Sequence, residues 1–121
     1  MSSKKTLVLG ASENPQRYSY LAVQRLLSHD HPVIAIGKQK GKVHGIEILN
    51  EKNIENDIDT VTLYLNPQNQ KNYYDYILSL NPKRIIFNPG TENSEFEEMA
   101  NNKGIKTEEA CTLVLLATGQ Y

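Results

Sequence analysis

At 121 residues, 39% of them hydrophobic and 22% charged, the chain has the size of one common domain and can bury a single real core. A net charge of −1 excludes a global pull toward nucleic acid or an anionic membrane, and no apolar run approaches the ~20 residues of a membrane span. The lone cysteine, Cys111, excludes an internal disulfide; with an amino end that does not resemble a signal peptide, it predicts a soluble cytoplasmic protein.

The first strand is expected at Lys5–Leu9 and feeds a glycine-containing turn, Gly10-Ala11-Ser12-Glu13-Asn14-Pro15. A helix follows, starting at Asn14-Pro15 or at Ser19, with Leu21, Ala22, Val23, Leu26 and Leu27 on one broad apolar face. Pro32 marks its end and opens a second strand, Val33–Ile36. A basic glycine-rich loop, Gly37–Lys42, precedes a short unassigned stretch around Val43–Leu49. The third strand is Thr60–Leu65, after which Asn66 caps a helix that begins at Pro67 and runs to about Leu80. Tyr73, Tyr76, Ile77 and Leu80 form its expected core stripe. The fourth strand, Arg84–Phe87, stops at Asn88-Pro89-Gly90; a polar helix over Ser94–Lys103 closes at Gly104. The fifth strand is Ile105–Glu108, and Thr112–Thr118 reads as a last helix that ends near Gly119.

Strands that alternate with crossover-length connections predict a doubly wound, Rossmann-like α/β domain over residues 1–121. The expectation is a five-stranded parallel sheet in the order 3-2-1-4-5, with helices on both faces. Ligands of such sheets bind at the carboxyl ends of the strands. Gly10–Asn14, Gly37-Lys38, Asn66-Pro67 and Asn88-Pro89-Gly90 are therefore the candidate loops.

A strand, a tight turn and a helix N-terminus grip phosphate through backbone N–H groups. The turn nevertheless lacks the second and third glycines of the dinucleotide fingerprint, with Ser12 and Pro15 in their places. After the second strand an NAD site wants an acidic residue, and Lys38 stands there. A lysine suits a ribose that carries its own phosphate, as in NADP or coenzyme A. Lys40 and Lys42 read as loop solvation, Arg17 as either a phosphate partner or a surface residue, and Ser19 as a cap that can also bind.

The run Leu9-Gly10-Ala11-Ser12-Glu13-Asn14-Pro15-Gln16-Arg17-Tyr18-Ser19-Tyr20 resembles the opening motif of the coenzyme A-binding domain family. Its members are small stand-alone bacterial proteins, similar to the N-terminal domain of the succinyl-CoA ligase alpha subunit. The loop after the second strand, Asn66-Pro67, Phe87-Asn88-Pro89-Gly90 and a cysteine after the fifth strand extend the resemblance over nearly the whole chain. It implies that Gly10, Ala11, Ser12 and Asn14 line a pyrophosphate with Arg17 and Ser19 nearby, and that Gly37-Lys38 meets the phosphorylated ribose. Leu65, Asn66 and Pro67 would flank the adenine, while Asn88, Pro89 and Gly90 would guide the pantetheine arm. Gly37 stands where relatives often have proline, and Glu109-Ala110-Cys111-Thr112-Leu113 differs from their polar, proline-bearing version.

No nucleophile–base pair, paired carboxylate or metal-ligand spacing stands out. His29 and His31 read as a solvated turn, and His44 lies in the loop region after the second strand. Cys111 reads as a small core residue or as a thiol facing a cofactor thiol, and the glutamates between Glu92 and Glu109 as a solvated acidic face. Tyr73, Tyr74 and Tyr76 without a basic stripe do not make a nucleic-acid platform. A receiver-type reading fails because Gly10 and Asn66 stand where it needs acids. The expectation is non-catalytic binding of coenzyme A or an acyl-CoA. The alternatives are an NADP-linked oxidoreductase domain, or an interaction subunit with a vestigial crevice; a homo-oligomer or a partner protein is left open.

Overall fold

The structure, a computed structural model, describes residues 3–121. A seven-stranded sheet runs in the order β3-β4-β2-β1-β5-β6-β7, built from β1 (Thr6–Leu9), β2 (Val33–Ile36), β3 (Gly41–Val43), β4 (Ile46–Leu49), β5 (Thr60–Leu63), β6 (Arg84–Phe87) and β7 (Lys106–Glu109). Every pairing is parallel except that of β3 with β4. The expected five-stranded order is therefore corrected. Ile46–Leu49 lies beyond β2, in the place assigned to the Thr60 strand, and Thr60–Leu63 pairs with the opposite edge of β1. The missed pair is a hairpin turned by His44 (φ 49°) and Gly45 (φ 82°), the left-handed pair that a two-residue turn matched to strand twist requires.

The central strands β1, β5 and β6 are buried at every position, as parallel strands covered on both faces must be. Their alternation sorts the core into two layers. Leu7, Leu9, Val61, Leu63, Ile85 and Phe87 meet Ile77 and Phe96, whereas Val8, Val33, Ala35 and Ile48 meet Val23, Leu26 and Leu116. The first layer is covered by α3 (Tyr74–Leu80) and α4 (Ser94–Asn102), the second by α1 (Tyr18–Ser28) and α5 (Thr112–Ala117). The helix before α3 is α2 (Pro67–Gln70), and a 3₁₀ turn over Lys71–Tyr73 separates the two.

Helix signals divide into those that held and those that moved. Asn66 caps α2 as expected, its side chain accepting the Asn69 N–H at 2.8 Å with Pro67 at the first position. α1 begins at Tyr18 with Arg17 at its cap, not at Asn14 or Ser19; Ser19 is buried one residue inside. The helix expected from Pro67 to Leu80 breaks at Gln70, and the break rotates the stripe so that Tyr74 and Ile77 are buried while Tyr73, Tyr76 and Leu80 pack at its margin. Tyr74 stacks on Phe96 with ring centroids 4.4 Å apart. Among the described residues, no helix is long and apolar enough to cross a membrane.

Candidate functional site

The chain reverses its direction of travel at β1. From there it moves outward to β2 and β4, and later returns to lay β5 on the other side. The crevice opens at the carboxyl ends of these strands, as expected for a doubly wound sheet. Gly10 leaves β1 at φ 97°, and a Cβ there would lie 3.0 Å from the Tyr64 carbonyl carbon, so glycine lets the two strand exits approach. The Gly10 and Ala11 N–H groups both donate to the Ile36 carbonyl, at 2.8 and 3.0 Å, which fixes the turn on the end of β2.

The Gly10–Arg17 loop holds its shape through its own polar groups. Ser12 Oγ accepts the Asn14 N–H at 3.0 Å and Asn14 Oδ1 accepts the Gln16 N–H at 3.0 Å. With those donors used, the N–H groups of Ser12, Glu13, Tyr18 and Ser19 have no partner among the described residues. Two of these free amides, those of Tyr18 and Ser19, lie at the positive end of an 11-residue helix, and two in the loop before it.

A cleft of about 920 Å³ stands over these amides, large enough for a nucleotide-sized ligand. Of the expected site residues, Gly10, Ala11, Ser12, Asn14, Arg17, Ser19, Lys38, Leu65, Asn66, Pro89 and Gly90 line it. Gly37, Pro67 and Asn88 do not. Gly37 is buried against the turn, where a Cβ would fall 2.3 Å from the Ala11 carbonyl oxygen, and its N–H donates to Leu49 at 2.8 Å. A proline there would clash and lose that bond, which accounts for glycine in this chain. Pro67 starts α2 behind Asn66.

Asn88 is inward-facing. Its amide donates to Thr62 Oγ1 at 2.7 Å and to the Leu63 carbonyl at 2.8 Å, and its oxygen accepts the Thr112 N–H at 2.9 Å. Its side-chain polar atoms are therefore matched within the protein, beneath the cleft rim. Glu13, within the expected Gly10–Asn14 loop, also lines the cleft, which gains residues that sequence reasoning did not assign to it: Gln16, Tyr18, Gln39, Lys40, Tyr64, Asn69 and Thr91. Lys40, read as loop solvation, is exposed and borders this cleft, two residues from Lys38 in a loop bounded by glycines.

Charge is one-sided here. Arg17, Lys38 and Lys40 face the cleft against a single carboxylate, Glu13, and among the described residues none of the three cations forms an ion pair. The opposite wall is neutral. Gln70, fully buried, donates to the Leu65 and Thr91 carbonyls at 2.8 Å each and accepts from Asn93 at 2.9 Å, tying the loop after β5 to the loop after β6. The Tyr64 hydroxyl is buried beside Thr62 and Thr112, whose hydroxyls bond each other at 2.7 Å, and is left without a well-aligned partner. Burial pushes its pKa up, so the phenol stays protonated.

The remaining candidates lie elsewhere. Cys111 is half-buried at the cap of α5, outside the cleft lining. His44 is exposed against Tyr20, ring centroids 4.8 Å apart. His29 is exposed, but His31 is not the solvated turn residue expected: its Nδ1 accepts the Lys4 N–H at 2.9 Å and its ring packs on Tyr121. The acidic face is also more engaged than expected. Glu95 accepts from Tyr74, Glu108 pairs with Arg84 at 3.3 Å, and Glu92 accepts the Gly90 N–H.

Fold and cleft together define a Rossmann-like α/β protein with a cationic crevice at its switch point. The chain belongs to the CoA binding domain family, whose model matches residues 4–117. It is similar to a crystal structure of an uncharacterized protein, 54% identical with a TM-score of 0.98, the alignment covering 100% of both chains. Two more distant structures share the fold. A hypothetical protein from Pyrococcus horikoshii OT3 is 24% identical, with a TM-score of 0.84 over 93% of this chain and 80% of that one. The cell-free ID.343 structure from Thermus thermophilus is 20% identical, with a TM-score of 0.86 over 98% and 91%. The search of curated proteins gave no match.

Proposed function

We propose that the protein, as one domain over residues 1–121, binds coenzyme A or an acyl-CoA and holds it without transforming it. The observation that carries this reading is the set of three unpaired cations, Arg17, Lys38 and Lys40, around the free amides at the start of α1. The pyrophosphate takes the Ser12, Glu13, Tyr18 and Ser19 amides with Arg17 alongside, and the ribose phosphate takes Lys38 and Lys40. Leu65 and Asn66, with Pro67 behind them, flank the adenine. Pro89 and Gly90 form the rim along which the pantetheine arm leaves, and Asn88 supports that rim from beneath. The polar groups at hand are three cations and free amides against one carboxylate, Glu13, a balance suited to holding an anion.

Thermal unfolding tests the reading. At a hundredfold excess over Kd, coenzyme A adds about 2.7 kcal/mol of stability, several degrees in Tm. The form that lacks the ribose 3′-phosphate is expected to stabilise less at the same concentration. Stabilisation by NADP and not by coenzyme A would overturn the assignment in favour of an oxidoreductase-type domain, and silence with every nucleotide would point to a vestigial crevice.

A further inference from the structure

The basic loop is attached to the phosphate turn at both of its ends, and each attachment is built on a glycine. At one end Gly37 abuts the Ala11 carbonyl. At the other, Glu13 reaches across from the turn, and its Oε2 accepts the Lys42 N–H at 2.8 Å over a sequence distance of 29 residues. A Cβ on Gly41 would lie 2.4 Å from the Glu13 carboxyl carbon, so a side chain at residue 41 would make the end of the Glu13 side chain move aside. Among the described residues Glu13 forms no ion pair with any of the neighbouring lysines. Its charge is directed at the backbone.

A carboxylate is otherwise an awkward lining for a cleft that takes phosphates, because like charges repel there. We propose that Glu13 is a positioning residue, a clasp that fixes the start of β3 to the phosphate turn and so holds Lys38 over the cleft. This rests on the coenzyme A reading, in which Lys38 meets the ribose phosphate. A charge-assisted bond to a backbone N–H restrains the loop while leaving its ammonium groups unpaired for a ligand. A lysine partner for Glu13 would do the opposite.

The clasp is tested first in the ligand-free protein, by amide hydrogen exchange at Lys42. Glu13→Ala is expected to raise that exchange roughly tenfold, whereas Glu13→Gln, whose amide oxygen still accepts, stays within about twofold of the parent. Gly41→Ala displaces the carboxylate and is expected to match Glu13→Ala, which keeps the test open if either variant folds poorly. Unchanged Lys42 exchange in both overturns the clasp.

The second arm titrates coenzyme A and its 3′-dephospho form. The parent's preference for the phosphorylated form is expected to fall roughly fivefold in Glu13→Ala and to persist in Glu13→Gln. Equal tightening of coenzyme A in both variants would mean that Glu13 acts only as a repelling charge, and would overturn the positioning role. If the parent binds neither form, the coenzyme A reading fails and takes the ligand-directed role with it. The exchange result would still decide whether the clasp exists.

Discussion

The two walls of the cleft are built on opposite principles. The wall formed by the Gly10–Arg17 turn and the Lys38–Lys40 loop is exposed, cationic and held largely by backbone contacts. The wall formed after β5 and β6 is neutral and rests on buried amides, Gln70, Asn88 and Asn93, whose polar atoms are matched to protein partners. The first wall keeps groups unsatisfied so that a ligand can complete them. The second leaves little for a ligand and supplies a rigid frame. Substitutions should therefore separate binding from stability according to the wall they touch.

The largest effect is expected at Asn88. Asn88→Ala strands the Leu63 carbonyl and the Thr112 N–H in the core and should lower unfolding stability by about 3 kcal/mol in urea titrations. Gln70→Ala should cost about 2 kcal/mol and also weaken coenzyme A binding, because the Leu65 and Thr91 loops lose their tie. Across the cleft, Lys38→Ala should leave stability within about 0.5 kcal/mol of the parent. Its affinity for coenzyme A, read by calorimetry, should fall roughly tenfold while that for the dephospho form barely moves. A large loss of stability in Lys38→Ala, or none in Asn88→Ala, would break the comparison.

Two smaller effects depend on pH and oppose each other. Burial and the neighbouring Glu109 carboxylate raise the Glu97 pKa to about 7, so the folded state resists ionising a group that the unfolded chain ionises near 4.5. That contribution makes stability rise as pH falls from about 7 toward 4.5, and Glu97→Gln should remove the rise. His31 is shifted the other way. Burial first, then the positive charges of His29, Lys4 and Arg84, lower its pKa below 6.5, with Asp30 opposing. Folded His31 accepts from Lys4 as the neutral ring, so stability is lost as pH drops below 6.5. His31→Asn, which offers an oxygen to the same N–H, should flatten that limb in unfolding titrations run across pH.

Much of this was readable in the chain. The Asn66-Pro67 pair announces a helix start because a short acceptor side chain and a fixed φ serve that one position. Val33–Ile36 and Ile85–Phe87 announce strands by unbroken apolar character, and the expected limits Val33–Ile36 and Arg84–Phe87 agree with the structure. Lys38 was legible as a residue of the crevice because it stands where a strand ends. The hairpin was not, since the edge strand Gly41–Val43 and its neighbour Ile46–Leu49 are short, each with a charge at its second position. Missing it moved the Thr60 strand to the wrong side of β1. Gln70, at the end of α2, and Asn88, at the exit of β6, were opaque for another reason: an amide near the crevice serves a ligand or the backbone equally well, and only long-range partners such as Thr91 and Thr112 decide.

The two glycines that bound the basic loop carry a consequence for how such a domain diversifies. Because Gly37 and Gly41 make the contacts that seat the loop, residues 38–40 form an interchangeable cassette, free of duties to the core. A new set of side chains there would redirect the crevice toward a different anion or a neutral ribose without refolding the protein. The fold would inherit its docking points, and three residues would tune which ligand the rest of the crevice accepts.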